Sequence, residues 1–406
     1  MREALDVLEL VLLVAAVLLA LPVLVLVVQI ISALGARAFE RAEPSPLAPA
    51  ERSAALAVLM PAHDEATGIG ESIAALWPQL NAQDRLLVVA DNCSDDTAAV
   101  ARALGAEVVE RSDAEHRGKG FALDFGMKHL AQRPPAIVLV VDADCIVAAG
   151  AVDLLARRCL DAGRPVQALY LMRAPEAAAL KTRVAEFAWL VKNQVRALGS
   201  HRLGLPCQLM GSGMAFPWEV LRDAPLASGH IVEDLQLGLD LAAVGAAPVF
   251  CPRALVTSTF PLATAGLATQ RTRWEHGHLG VIASMGPRLL WQAVRRRQGA
   301  LAAMVLDVGV PPMAALLLAL SIVVVMSAAL AALGAAATAL LVASVTIVVL
   351  VLALVAAWNE FGRGIVTFAE LATAPAYAIG KIPMYVRMAR KRQTEWVRTQ
   401  RDDAKR

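Results

Sequence analysis

Long apolar stretches near both ends of the chain predict membrane helices. No charged residue occurs over the 27 positions from Leu10 to Ala36, and the 60 residues from Gly299 to Trp358 carry a single charge, Asp307. A helix needs about 20 predominantly apolar residues to cross a bilayer. We therefore predict one transmembrane helix in the first stretch and two in the second. The predicted ranges are 8–34, 313–333 and 336–357.

Segments beside these helices are predicted to lie on the membrane surface. Pro311 and Pro312 interrupt a helix, so we expect 299–310 to form an interfacial lead-in to the transmembrane block 299–358. The region 359–406 is predicted to be an interfacial or re-entrant segment followed by a basic tail. Its last twenty residues hold eight Lys or Arg against three acids.

Basic residues flank the predicted spans on one side of the membrane. They are Arg37 and Arg41 after the first span, the run 295–297 before the second, and the basic tail after the third. Positive charge favours the cytosolic side. The sequence thus predicts a multi-pass protein of the inner or cell membrane whose middle region is cytosolic. A cleaved signal peptide is the alternative, but acids outnumber bases before the apolar stretch and the stretch is too long.

The region between the spans alternates in a way typical of an α/β domain. A Pro-rich linker at 43–53 precedes the predicted domain, 54–298. The predicted strands are 56–60, 85–90, 106–110 and 136–141, and the predicted helices are 70–80, 97–104 and 120–130. We expect Ser94 or Asp95 to cap the second of these helices. Continuous apolar strands separated by helices indicate a mostly parallel sheet with helices on both faces.

Composition agrees with a membrane-associated protein. Hydrophobic residues make up 57% of the chain and charged residues 18%, against roughly a quarter charged in globular proteins. The formal net charge of +2 gives no argument for a nucleic-acid partner. The five cysteines show no paired spacing, which predicts reduced thiols facing the cytosol.

Acidic residues follow three of the predicted strands. Asp64 and Glu65 come after the first strand, Asp91 after the second, and Asp142 and Asp144 after the strand at 136–141. Ligands of parallel α/β sheets bind beyond the carboxyl ends of the strands. Crowded carboxylates repel one another unless a cation neutralises them. Asp142 and Asp144 therefore predict a site for Mg²⁺ or Mn²⁺, whose remaining ligands are usually substrate phosphates.

A basic glycine turn lies between these acids. Residues 116–120 (HRGKG) place Arg117 and Lys119 before a predicted helix, which suits a diphosphate. The turn is not a P-loop, because Gly120 occupies the position of the Ser or Thr. His276 and His278 lie further on without a third histidine or a cysteine nearby, so we expect packing or surface roles for them.

The ordered motifs resemble those of the family-2 membrane glycosyltransferases, the group that contains cellulose, hyaluronan and chitin synthases and ceramide glucosyltransferase. The likeness spans roughly residues 54–280. Its specificity lies in the order and spacing of short motifs that end in Gln-x-x-Arg-Trp before membrane spans. The motifs are PAHDE at 61–65, DNCSDD at 91–96, RGKG at 117–120, DAD at 142–144, GSGM at 211–214, VED at 232–234 and QRTRW at 270–274.

The resemblance implies a GT-A nucleotide-binding fold and a role for each matching residue. Asp234 matches the catalytic base and Glu233 supports it, whereas the structural alternative for Asp234 is an N-cap of a helix at 235–244. The residues matched to nucleotide-sugar binding are Asp64, Glu65, Asp91, Lys119, Asp142, Gln270 and Arg273. Those matched to the acceptor are Gly211, Ser212, Gly213 and Trp274, and those matched to the metal are Asp142 and Asp144.

The activity implied is inverting transfer of a sugar from a nucleoside-diphosphate sugar, a UDP-sugar first among them, to a hydroxyl acceptor at the cytosolic membrane face. Extracellular polysaccharide biosynthesis is the favoured role. Three predicted spans are few for enclosing a polysaccharide channel, so an oligomer or an export partner would be required. The alternative is transfer of a single sugar to a glycolipid or polyprenyl-linked acceptor. A non-catalytic nucleotide-sensing membrane protein is the remaining alternative.

Overall fold

The computed structural model describes residues 2–35, 52, 54–176, 178–261 and 264–390. Within that part, the side chains of 264–271 and 388–390 are not described. The predicted linker, apart from Arg52, and the basic tail beyond Arg390 lie outside the described residues.

The strands predicted from apolar runs are present with small shifts at their ends. The first extends past Pro61 to Ala62, because the backbone stays extended and pairs with its neighbour at both residues. The eight strands are β1 (Leu56–Ala62), β2 (Arg85–Asp91), β3 (Glu107–Arg111), β4 (Ile137–Val140), β5 (Ile146–Val147), β6 (Val166–Arg173), β7 (Met214–Pro217) and β8 (Val249–Thr259).

All eight strands form one sheet in the order β3-β2-β1-β4-β7-β6-β8-β5. The β1–β2, β2–β3, β1–β4 and β6–β8 pairs are parallel, whereas β7 and β5 pair with their neighbours in the antiparallel direction. The mostly parallel sheet is thus confirmed, with antiparallel additions in its second half.

Both faces of the sheet are buried. Along β1, Val58 and Met60 belong to one apolar cluster, while Ala57 and Leu59 belong to another on the opposite face. Successive side chains of a strand point to opposite faces of the sheet. A strand that is buried on both faces therefore consists of apolar residues without interruption. On the second face, the helix that contains Gly126 lies very close to β1. A Cβ at Gly126 would be 2.4 Å from the side chain of Leu59.

The helices of the domain follow the predicted pattern with corrections at their ends. Those from the sheet region are α2 (Ile69–Leu76), α3 (Thr97–Ala103), α4 (Lys119–Leu130), α5 (Ala151–Ala162), α6 (Leu180–Leu190), α7 (Ala197–Arg202), α8 (Trp218–Arg222) and α9 (Glu233–Ala243). A 3₁₀ turn, Trp77–Gln79, follows α2, and a π-helical segment, Val191–Arg196, joins α6 to α7.

The N-cap residues of two helices differ from those considered above. Asp96, rather than Ser94 or Asp95, holds the N-cap position of α3, although the Asp95 carboxylate does accept the Thr97 N–H at 3.0 Å. Helix α9 begins at Glu233 after Val232, which places Asp234 inside the first turn. Asp234 is therefore not the N-cap of this helix.

In the part of the chain that the structure describes, three helices are long and apolar enough to cross a membrane, as predicted. They are α1 (Arg2–Leu34), α13 (Met313–Ala332) and α14 (Thr338–Ala357), which a π-helical turn extends to Gly362. The other helices after the sheet are α10 (Thr264–Ser284), α11 (Gly286–Arg295), α12 (Gly299–Val308), α15 (Phe368–Leu371), α16 (Ala374–Ile379) and α17 (Ile382–Arg390). The interfacial location of 299–310 and 359–386 stays a prediction.

The long helices share the core of the α/β domain. Leu26 and Ile30 of α1, Leu320 of α13 and Leu350 of α14 are buried in the same cluster as Val58 of β1. A buried polar network also ties α1 and α12 to the domain, and Asp307 lies at its centre. Its carboxylate accepts hydrogen bonds at 2.7 Å from Gln29, Arg196 and Gln208.

Candidate active site

A cleft of about 260 Å³ lies at the carboxyl ends of β1, β2 and β4. This edge is where open α/β sheets bind their ligands. Six carboxylic acids and four Lys or Arg side chains line it, so it is built for a charged ligand. The predicted site residues among its lining are Glu65, Asp91, Lys119, Asp142, Asp144, Gly211, Glu233, Asp234, Arg273 and Trp274.

Three other predicted residues lie behind the cleft wall. Asp64 accepts the Ser94 N–H at 2.6 Å and so holds together the loops after β1 and β2. The buried Ser212 hydroxyl accepts the Asp142 N–H at 3.1 Å. Gly213 has a φ of +68°, and a Cβ there would lie 2.7 Å from that of Ala168. These contacts support the shape of the cleft, and the side chain of Gln270 lies outside the described residues.

The end of β2 presents a fixed carboxylate. Asp91 is buried, and its Oδ1 accepts hydrogen bonds from Arg111 at 2.7 Å and from the Asn92 amide at 3.0 Å. The His63 ring donates to the backbone carbonyl of Asp91 at 2.7 Å. Asp91 is thus held at one end of the cleft by three side chains.

Lys119 lies at the centre of the cleft. Its ammonium is 2.5 Å from Asp142 Oδ1 and donates to the Gly211 carbonyl at 2.6 Å. Gly211 has a φ of +95°, and a Cβ there would lie 3.4 Å from Asp234 Oδ2. Burial works to lower the pKa of Lys119, but Asp142 and Glu233 raise it above its ordinary value. The lysine therefore remains a cation.

Asp142 and Asp144 fit a divalent metal. Their carboxylates and the Cys145 thiol lie with ligand atoms within 4.8 Å of one another. Burial raises the pKa of Asp142, Lys119 opposes that rise, and Asp144 adds to it by repulsion, which a bound cation would relieve. Burial also raises the pKa of Cys145 far above its usual range, so the thiol stays protonated. The donors left are carboxylate oxygens, which Mg²⁺ and Mn²⁺ prefer.

A second group of acids suits a structural role better. Asp64, Cys93 and Asp95 also lie close enough to hold an ion. Asp95 accepts the backbone N–H groups of Ala66 and Thr97 at 3.0 Å each. Because Asp64 is likewise bound to the loop through Ser94, these carboxylates fix the turns after β1 and β2.

The first turn of α9 supplies two adjacent acids to the cleft. Burial and the neighbouring Asp234 raise the pKa of Glu233 to about 7, while Lys119 opposes the rise. A carboxyl group whose pKa is raised to near neutrality can keep its proton in the cleft.

The wall opposite Asp142 carries aromatic and basic side chains. The rings of Trp274 and Trp189 have centroids 4.8 Å apart, and the Trp189 N–H donates to the Tyr170 carbonyl at 3.3 Å. Arg273 lines the same wall, and burial lowers its pKa although Glu233 and Asp234 oppose the shift. The wall can pack against a sugar ring and keep a positive charge near it.

Sequence reasoning missed two residues of this wall, Trp189 and Lys192. Both lie near the junction of α6 with the π-helical segment, and the Lys192 ammonium is 5.7 Å from the Trp189 ring centroid. Burial lowers the pKa of Lys192, although Asp234 opposes the shift. The sequence carries no clear signal for them, because this helix also contains Lys181, Arg183 and Glu186 and shows no motif at Trp189 or Lys192. His278 also lines the cleft, and its ring donates to the Val308 carbonyl at 2.8 Å, a packing role as predicted.

Comparison with known families identifies the class of protein to which this cleft belongs. Residues 53–277 match the family described as Glycosyltransferase like family 2, which is more than half of the chain. The chain belongs to this family and is a glycosyltransferase with a GT-A fold.

Solved structures with similar folds include other sugar transferases. A mannosyltransferase from Pyrobaculum calidifontis, solved with GDP-Man and Mn²⁺, is 17% identical over 84% of this chain and 98% of its own, with a TM-score of 0.46. Glucosyl-3-phosphoglycerate synthase from Mycobacterium tuberculosis, solved with Mn²⁺, UDP-glucose and phosphoglyceric acid, is 23% identical over 54% of this chain and 78% of its own, with a TM-score of 0.37. A search of curated proteins finds no significant match.

Proposed function

We propose that the protein is a metal-dependent, inverting glycosyltransferase of the membrane-bound group, with its α/β domain on the cytosolic side. Its donor is a nucleoside-diphosphate sugar. The observation that carries the proposal is the convergence of Asp142, Asp144, Lys119 and Asp234 on one cleft. Transfer of a sugar with a diphosphate as leaving group requires ligands for a metal ion, a fixed positive charge and a base, and these residues supply all three.

The donor would lie along the carboxyl edge of the sheet. Asp91, held by Arg111, would accept hydrogen bonds from the base, a uracil first among the candidates. The diphosphate would lie against Lys119 at the N-terminus of α4, where the helix dipole favours an anion. Arg273 would add a second positive charge, and Glu65 borders the same end of the cleft.

Asp142 and Asp144 would hold Mg²⁺ or Mn²⁺ beside the diphosphate. When bound, the metal ion neutralises charge that develops on the leaving group. Lys119 does the same from the protein side, because its ammonium stays charged in the buried cleft. Ser212 fixes the backbone of Asp142 and so keeps the first of the two ligands in place.

Asp234 would act as the base in a direct displacement. It would take the proton of the acceptor hydroxyl as that oxygen attacks the anomeric carbon, and the nucleoside diphosphate would leave from the opposite face. A single displacement inverts the anomeric configuration. Glu233 would support Asp234, Trp274 would pack against the acceptor, and the Gly211 turn leaves room beside the base.

The acceptor would be presented at the membrane. Three helices that can cross a bilayer flank the cleft's domain, which supports a membrane-bound enzyme. Two acceptor classes are compatible with this position: a growing extracellular polysaccharide, which the sequence resemblance alone favours, and a lipid that receives one sugar.

The proposal is tested by transfer with purified protein in lipid nanodiscs, offered labelled UDP- and GDP-sugars with Mg²⁺ or Mn²⁺. We expect turnover of one donor with inversion at the anomeric carbon, observed by NMR. Chelation of divalent metal should stop turnover by the wild-type protein, and added Mn²⁺ should restore it. The Asp144→Ala variant should remain folded, but added Mn²⁺ should not restore its turnover. A retained configuration, or a rate unaffected by chelator and by Asp144→Ala, would contradict the mechanism. Nucleotide binding without turnover of any donor would support the non-catalytic sensor instead.

A further inference from the structure

A second cavity, of about 200 Å³, lies next to the cleft and has an apolar lining. We call it the tail cavity. Its walls are α6, the start of α13 and the short helix α16. The apolar side chains that define it include Val184, Phe187, Met313, Leu317, Leu354 and Ala378.

The tail cavity and the cleft share a wall. Trp189, Lys192, Trp274 and His278 line both. On the cleft side of this wall lie Asp234 and the polar groups of the donor site. A single elongated molecule could therefore place a polar end in the cleft and an apolar end in the cavity.

The far side of the tail cavity is formed by candidate membrane helices. Met313 and Leu317 belong to α13, and Leu354 belongs to α14. In a bilayer crossed by these helices, the apolar part of a lipid would lie beside this wall of the cavity. The lining thus includes residues both of the α/β domain and of the candidate membrane helices.

Charged side chains around the tail cavity are largely paired with each other. Arg196 binds Asp307 at 2.7 Å, and Lys381 forms an ion pair with Glu275, which also accepts the Tyr385 hydroxyl at 2.5 Å. Lys192, at the shared wall, makes no ion pair with a carboxylate of the described chain and lies over the Trp189 ring. The surface offered inside the cavity is consequently apolar, with its polar end at the cleft.

From this arrangement we propose that the acceptor is a lipid whose hydroxyl-bearing head lies in the cleft and whose hydrocarbon chain occupies the tail cavity. The inference rests on the proposed transfer reaction and names its substrate class. A polysaccharide would gain nothing from an apolar cavity, because its hydroxyl groups would lose their hydrogen bonds to water there. A hydrocarbon chain fills such a cavity without that loss.

The cavity is tested first by photolabelling of nanodisc-embedded protein with a long-chain alcohol that carries a diazirine in its chain. We expect adducts on α6 and on the first turns of α13. Ala185→Phe adds a ring to the cavity lining on α6 and should remove most of these adducts, because the ring takes the space of the hydrocarbon chain. Ala329→Phe adds the same volume on the exposed face of α13 and should leave them unchanged. Adducts confined to exposed helix faces, or equal in both variants, would overturn the inference.

Product analysis then separates the lipid acceptor from the transfer reaction itself. With total membrane lipid added, labelled sugar should enter a product extracted by organic solvent, less with Ala185→Phe than with Ala329→Phe, while both variants bind nucleotide. A water-soluble polymer made equally by both variants would overturn the lipid acceptor and leave the proposed transfer intact. Absence of donor turnover from the wild-type protein under every condition would instead overturn the proposed function.

Discussion

At the residue scale, the adjacent acids of α9 show how position sets chemistry. Glu233 and Asp234 share one helical turn, and burial together with the neighbouring Asp234 charge raises the pKa of Glu233 to about 7. A carboxyl group that keeps its proton beside one that acts as a base is a recurrent arrangement in active sites. The pair therefore offers a test that needs no substrate.

We expect Glu233→Gln to change the pH dependence of stability. Between an unfolded pKa of about 4.3 and the folded value of about 7, the folded protein holds a proton that the unfolded chain has released. The stabilisation is complete below the lower value and is lost as pH rises through about 7. Glutamine cannot ionise, so the variant should be more stable than the wild type at pH 8, by roughly 3–4 kcal/mol, and nearly equal to it at pH 4.

Thermal unfolding of the metal-free, nucleotide-free protein from pH 4 to 8 measures this difference. Glu219→Gln, at an exposed position of α8, is the matched control and should follow the wild type. If the unfolding temperature of Glu233→Gln depended on pH as that of the wild type does, the pKa of Glu233 would not be raised in the folded protein.

Most of the cleft could be predicted because its residues follow strands. Asp91, Asp142 and Asp144 are visible in the sequence as acids at the ends of apolar runs, and parallel strands bring their ends to one edge. Trp189 and Lys192 could not be predicted in this way. They lie on a helix that approaches the cleft only through tertiary packing, and a π-helical segment shifts the side chains beyond the pattern that a regular helix would give.

At the scale of elements, the first half of the sheet was predictable and the second half was not. Strands β1, β2 and β4 are built on continuous apolar runs and β3 on Val108 and Val109, whereas β8 contains Pro252 and Arg253 at the point where its pairing with β6 shifts register. An irregular strand does not keep the alternation on which prediction depends. Strand β5 has only two residues, too few for any pattern.

The buried Asp307 network makes a prediction about how these elements hold together. Asp307 on α12 binds Gln29 of α1, Arg196 of the π-helical segment and Gln208 near β7. Asp307→Ala would leave the Arg196 charge buried without its partner, which typically costs about 3–5 kcal/mol. We expect a markedly lower unfolding temperature in detergent.

Asp223→Ala provides the control for this change. Its exposed ion pair with Arg222 is screened by water, so its loss should leave the unfolding temperature unchanged. An Asp307→Ala variant as stable as Asp223→Ala would show that the network does not fasten α1 and α12 to the domain.

At the scale of the whole molecule, the candidate membrane helices and the transferase domain form a shared core. Buried residues of α1, α13 and α14 belong to the cluster that covers one face of the sheet. The apolar stretches predicted three candidate spans, and the structure has three helices of sufficient length and hydropathy. Their shared packing was not predictable, because hydropathy gives the length of a span but not which of its faces meets protein.

The central claim is that Asp234 is the base of a glycosyl transfer. We expect Asp234→Asn to bind the donor nucleotide as the wild type does, because the groups proposed for the diphosphate remain. Turnover should fall by about 10²–10⁴, the usual contribution of a positioned base. Asp240→Asn, on the same helix but outside the cleft lining, is the matched control and should keep its rate.

The deciding measurement is therefore nucleotide binding and sugar transfer by Asp234→Asn, taken side by side on one preparation. Preserved binding with collapsed transfer is the result that this account predicts. Transfer at the wild-type rate would remove Asp234 as the base and contradict the proposed mechanism.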